Sequence, residues 1–102
     1  LAETHYNLGN LFVRQGKLDE AVEHYQQALR CRRDYAKAHN NLGTVLTRLN
    51  RLDEAIVHFQ HALRIQPDYA EAHNNLGITF FQQGKSEEAV VHFQQALNLI
   101  IT

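Results

Sequence analysis

The chain has 102 residues, 44% of them apolar, with 10 basic and 11 acidic side chains for a net charge of −1, a composition that suits one folded, soluble domain. The balanced charge lacks the basic excess that grips a phosphate backbone, so no nucleic acid is expected as a partner. No membrane is expected either, because no apolar run nears the roughly 18 residues of a spanning helix, and the lone Cys31 excludes an intrachain disulfide while suiting a reducing, cytoplasmic compartment.

The chain opens at Leu1 with no signal-peptide pattern, as a trimmed fragment of a longer protein would. His5, Leu8 and Phe12 then recur three or four residues apart, which predicts a first amphipathic helix. Gly16 ends it, and Leu18, Ala21, Tyr25, Ala28 and Leu29 predict a second. The pattern begins again after Asp34. Shifting the chain by 34 residues lays Leu8-Gly9 on Leu42-Gly43 and on Leu76-Gly77, and Tyr25 on Phe59 and Phe93. Ala21 and Ala28 recur as Ala55 and Ala62, then as Ala89 and Ala96. One domain, 1–102, is therefore expected, in repeats 2–35, 36–69 and 70–102: six helices and no strands.

Boundary residues refine this reading. Gly16, Asn50 and Gly84 fall where a helix end turns left-handed. Asp19 and Asp53 are placed to start and cap the second helices of the first two repeats, a task left to Ser86 or Glu87 in the third. Asp34 and Asp68 are placed to cap the next first helices, and Pro67 discourages extension of the helix before it. Arg33 and Ile101 hold the proline's place in the other repeats, so the first of these second helices is free to run on through Arg32.

The spacing of Leu-Gly, an aromatic or leucine three residues on, then Ala, aromatic and Ala resembles the tetratricopeptide repeat over the whole chain. That resemblance implies an all-α, right-handed α-solenoid of three helix-turn-helix repeats. The family's tryptophan is replaced by His5, His39 and His73. In the family, first helices line a concave groove that receives a peptide or a partner's helix. Helical geometry sets Tyr6, Asn7, Asn10 and Arg14 beside the inward Leu8 and Phe12. The same face carries Lys37, Asn40, Asn41, Thr44 and Arg48 in the second repeat. In the third it carries Glu71, Asn74, Asn75, Ile78 and Phe81.

Asparagine recurs at one groove position as Asn7, Asn41 and Asn75, assisted by Asn10, Asn40 and Asn74. An amide donates and accepts, so such a ladder can read the backbone of an extended peptide; equally, it can bond neighbouring repeats and fix the superhelix. Similar ladders occur in the arrays attached to protein O-linked sugar transferases, which implies substrate recruitment by a larger glycosyltransferase as an alternative. The carboxylate clamp of chaperone-binding members is not matched. Asn10 and Asn41 occupy its asparagine places, but Tyr6, Glu71 and Asn75 stand where its basic residues belong. Ile78, Phe81 and Tyr6 add apolar area for a ligand side chain.

Six of the seven histidines copy two repeat positions, His5, His39 and His73 and then His24, His58 and His92. A repeated structural choice explains them better than a metal site does. No serine or cysteine nucleophile sits in a recognisable motif, so a binding scaffold without cofactor is expected rather than an enzyme. Repeat arrays need polar caps, yet the last helix ends in Leu97, Leu99, Ile100 and Ile101. Head-to-tail self-association through uncapped ends is the competing reading.

Overall fold

In the computed structural model, which describes residues 1–101, six helices run in chain order. They are α1 (Ala2–Arg14), α2 (Leu18–Cys31), α3 (Ala36–Arg48), α4 (Leu52–Ile65), α5 (Ala70–Gln82) and α6 (Ser86–Ile101), and the described residues contain no strand. Successive helices pair as the hairpins α1/α2, α3/α4 and α5/α6, and each second helix also packs on the next first helix. First helices touch one another, α1 on α3 and α3 on α5, whereas second helices do not. That asymmetry bends the stack so that the first helices line its inner side.

Each hairpin turns through one left-handed residue, at Gly16 (φ 75°), Asn50 (φ 61°) and Gly84 (φ 80°). Glycine and asparagine are the types that tolerate this conformation. In each turn the following amide reaches back to a carbonyl of the first helix, Lys17 to Phe12 at 2.9 Å and Arg51 to Leu46 at 2.8 Å. The hairpins close tightly because a glycine faces an aromatic ring. A Cβ on Gly43 would lie 2.7 Å from Phe59, and one on Gly77 would lie 2.7 Å from Phe93. Tyr25 presses on Gly9 in the same way. Tyr25, Phe59, Leu42, Leu46 and Leu76 are the largest fully buried side chains.

The expected caps are corrected. Lys17 and Arg51 cap α2 and α4, and Tyr35 and Tyr69 cap α3 and α5, none with a side-chain bond. The caps of α2 and α4 lie two residues before Asp19 and Asp53, which puts both aspartates in the first turn. There a carboxylate meets the positive end of the helix dipole without bonding it as a cap. Asp53 instead accepts the Gln83 amide at 2.7 Å and ties the second turn to the third. Without proline, α2 still stops at Cys31, with Arg32 extended and its guanidinium 3.7 Å from the centre of the Tyr35 ring. A cation on an aromatic face holds that turn where Pro67 holds the next.

Candidate functional site: an asparagine-lined groove

The inner side carries two adjoining hollows. One, of about 350 Å³, is lined by Asn10, Asn41, Asn75, Thr44, Arg48 and Glu71 together with Val13, Tyr25 and Val45. The other, of about 170 Å³, shares Thr44, Arg48 and Asn75 with it and adds Ile78, Thr79 and Phe59. A third hollow, of about 550 Å³, collects Tyr6, Asn7 and Lys37 near the hairpin junctions, with Glu3, Arg32 and Asp34. These three hold most of the groove residues expected from the sequence. Asn40 is the exception that the packing explains, since it is fully buried and reaches no groove surface. Asn74, Arg14 and Phe81 are exposed but line none of the three.

The asparagines are knitted together by a bond pattern that repeats with the chain. Asn41 Nδ2 donates to the Tyr6 hydroxyl at 3.2 Å and to Asn10 Oδ1 at 3.0 Å. One repeat later, Asn75 Nδ2 donates to Asn40 Oδ1 at 3.1 Å and to Thr44 Oγ1 at 3.4 Å. Both hydrogens of each amide are thereby committed to the preceding repeat. Asn40 Nδ2 donates onward to Glu71 Oε1 at 3.0 Å. Thr47 and Thr79 face each other at 3.0 Å across the same junction. The superhelix-fixing role of Asn41 and Asn75 is therefore visible in their bonds.

Replacing Asn41 with alanine should lower stability by about 1–3 kcal/mol, because partly buried partners lose their donor. Asn7, exposed and with no partner among the described residues, should tolerate alanine at little cost. Urea midpoints of the two variants check this, and equal midpoints would remove the tie.

What remains unspent defines the chemistry on offer. Asn10 Oδ1 accepts from Tyr25 and from Asn41, which fills the oxygen and leaves Nδ2 as a free donor. The Tyr6 hydroxyl accepts from Asn41 and keeps its own hydrogen. Asn75 Oδ1 accepts nothing among the described residues. Two donors on α1 and one acceptor on α5 are thus on offer, and Arg48 and Glu71 set opposite charges in the central hollow.

Tyr25 was not expected here, since its repeat position is a core aromatic. Its hydroxyl distinguishes it from Phe59 and Phe93, and that hydroxyl reaches Asn10 from α2. Burial pushes the Tyr25 phenol up to about 12, so it remains a donor. Burial, then Glu71, does the same to Tyr69.

The histidines form three like pairs within the hairpins, with Nδ1 to Nδ1 distances of 3.2 Å for His5–His24, 3.1 Å for His39–His58 and 3.2 Å for His73–His92. The ring centres of His39 and His58 lie 5.3 Å apart, which is the 3.1 Å gap plus a ring radius at each end. The nitrogens therefore point at each other along a hydrogen bond, with no room for a metal between them. His39 Nε2 donates to the Arg33 carbonyl at 3.1 Å and His73 Nε2 to that of Pro67 at 3.3 Å. The Nδ1 atoms of His39 and His73 must then accept, and His58 and His92 donate.

Two family models match the chain, one described as "Tetratricopeptide repeat" over residues 34–101 and one as "TPR repeat" over 9–49. Among solved structures, the crystal structure of MamA is similar over 96% of this chain and 57% of its own, at TM-score 0.92 and 28% identity. A point mutant of MamA matches at 31% identity and TM-score 0.89, over 96% of this chain and 72% of the other. The first TPR of Spaghetti (RPAP3) bound to HSP90 peptide SRMEEVD matches at 26% identity and TM-score 0.94, over 96% and 78%. The chain spans a little over half the length of the first of these structures.

Proposed function

The chain belongs to the tetratricopeptide repeat family, and on that premise we propose that its inner groove binds a protein segment, held as an extended peptide or as a partner's helix. Proteins of this family are in general interaction modules rather than enzymes, and the Spaghetti repeat holds a peptide on the same fold. The observation that carries the reading is the set of unspent polar groups in the groove, two donors on α1 and one acceptor on α5. The Asn10 Nδ2 and Tyr6 hydroxyl donors meet peptide carbonyls, and the Asn75 Oδ1 acceptor meets a peptide amide. Main-chain groups are common to every peptide, so this arrangement favours broad recognition, with Arg48, Ile78 and Lys37 supplying what selectivity there is.

A peptide ending in an acidic cluster is a poor fit. Glu71 places a carboxylate in the central hollow against the single cation Arg48, and Asn75 beside them brings no further positive charge.

The test is a peptide array read with the parent chain and with Asn10→Asp. This change keeps both accepting bonds from Tyr25 and Asn41 but removes the free donor. Captured peptides should bind the variant about tenfold more weakly, the size of one net hydrogen bond, while its melting temperature stays near the parent's. Peptides that bind both proteins alike would place recognition outside the groove.

A further inference from the structure

The two adjoining hollows of the groove are the same junction, one repeat apart. Asn10, Val13, Tyr25 and Arg48 line the first, and their counterparts Thr44, Thr47, Phe59 and Gln82 line the second. The positions agree, but the chemistry does not. In the first hollow the Tyr25 hydroxyl bonds Asn10 and leaves the Asn10 Nδ2 donor open. In the second, a phenyl ring without a hydroxyl stands in that place, and Ile78, 39% exposed, replaces Thr44. Three threonines complete the wall, and each hydroxyl is engaged by a carbonyl of its own helix. Thr44 bonds Asn40 at 3.1 Å, Thr47 bonds Gly43 at 2.9 Å and Thr79 bonds Asn75 at 2.9 Å. What this wall offers a ligand is therefore apolar contact, in a space of about 170 Å³ that suits one aliphatic side chain.

Arg48 borders both hollows and is exposed. It makes no ion pair or hydrogen bond among the described residues. Glu71, by contrast, already accepts from Asn40 at 3.0 Å. The unengaged charge at the edge of the apolar hollow is thus the cation.

We infer that the segment this groove prefers carries an aliphatic side chain, seated in the second hollow against Ile78, and an acidic side chain one or two residues along that pairs with Arg48. This rests on the peptide-binding reading and gives it a motif. The Arg48 guanidinium presents several donors in one plane, which matches a carboxylate. One acid suits the one cation, whereas a run of acids would also meet Glu71.

The probe is an array of short glycine-serine peptides with leucine, glutamate, glutamine or lysine placed singly and in pairs at varied spacing. It is read with the parent chain and with Arg48→Gln, Ile78→Thr and Asn10→Asp. The parent should bind a leucine with a glutamate one or two residues away about tenfold more tightly than the same peptide with glutamine. Arg48→Gln should abolish that preference, together with its sensitivity to salt, and still favour leucine. Ile78→Thr should weaken leucine peptides about fivefold and leave the glutamate preference standing. Both positions are exposed, so both variants should melt near the parent. Peptides that Asn10→Asp weakens, but that are indifferent to leucine and glutamate or to the other two changes, would overturn the motif and leave peptide binding in place. A preference for lysine, which Glu71 would hold, would overturn it equally. An array on which nothing is captured would remove both readings.

Discussion

Acidifying the solution from pH 7 to pH 4.5 should lower the melting temperature of this chain by about 10 °C, through the histidine pair at its centre. Burial, reinforced by His39 and His61, holds His58 down to about 4, and burial likewise lowers His39 and His92. His39 on α3 and His61 and Glu54 on α4 are the titratable groups acting on His58, and the Glu54 carboxylate opposes the shift only in part. The unfolded chain takes up these protons near the ordinary histidine value of about 6.5. Between there and about 4 the unfolded state binds more protons than the folded state, so stability falls as pH falls through that window. Above about 6.5 the full contribution is present.

After allowance for partial solvent exposure, His58 alone accounts for about 2 kcal/mol. Protonating His58 puts a charge in a partly buried site beside His39 and His61, which is the structural form of that loss. His58→Gln keeps a donor toward His39 but cannot take up a proton, so it should flatten the pH dependence. A melting temperature unchanged between pH 7 and 4.5 would show that the pair does not titrate with folding.

The histidines also mark where the sequence stopped being legible. Their repeat positions identified them as structural, but not that a residue 19 positions away was the partner in all three repeats. Periodicity locates a face and cannot say which polar groups meet across it. Helices, turns and the Leu-Gly contacts were legible because each depends on local spacing or on one small residue. The aspartate caps were misread because a capping residue type is suggestive only until the backbone fixes which residue comes first. In the groove, Asn41 and Asn75 fell on the expected face, but Asn40 was buried by the next repeat. Glu71 and Asn75 cover it from α5, whereas Asn74 of the same sequence pattern has no described helix above it and stays exposed. Identical neighbours along the chain thus have opposite environments.

Gly43→Ala should destabilise the chain by about 3 kcal/mol, and Gly77→Ala by about 1 kcal/mol, although both are Leu-Gly glycines facing a phenyl ring. The added Cβ would meet Phe59 in the first case and Phe93 in the second, at 2.7 Å in both. Helix propensity favours alanine over glycine by roughly 1 kcal/mol, so the sign depends on whether the ring can give way. Phe59 cannot. It is fully buried in the central hairpin, between α3 and the core that joins Tyr25, Leu46 and Leu76, and any displacement overpacks that cluster. Phe93 is only half-buried, on the hairpin that ends the stack, and can swing outward at the cost of part of its contact. Urea denaturation of the two variants measures the difference directly. Equal losses would mean that the clash is relieved by the helices moving apart rather than by the ring. In an array whose helices are tied across junctions by Asn41 and Asn75, that movement would also break the groove, so the central variant should lose peptide capture before it loses helicity.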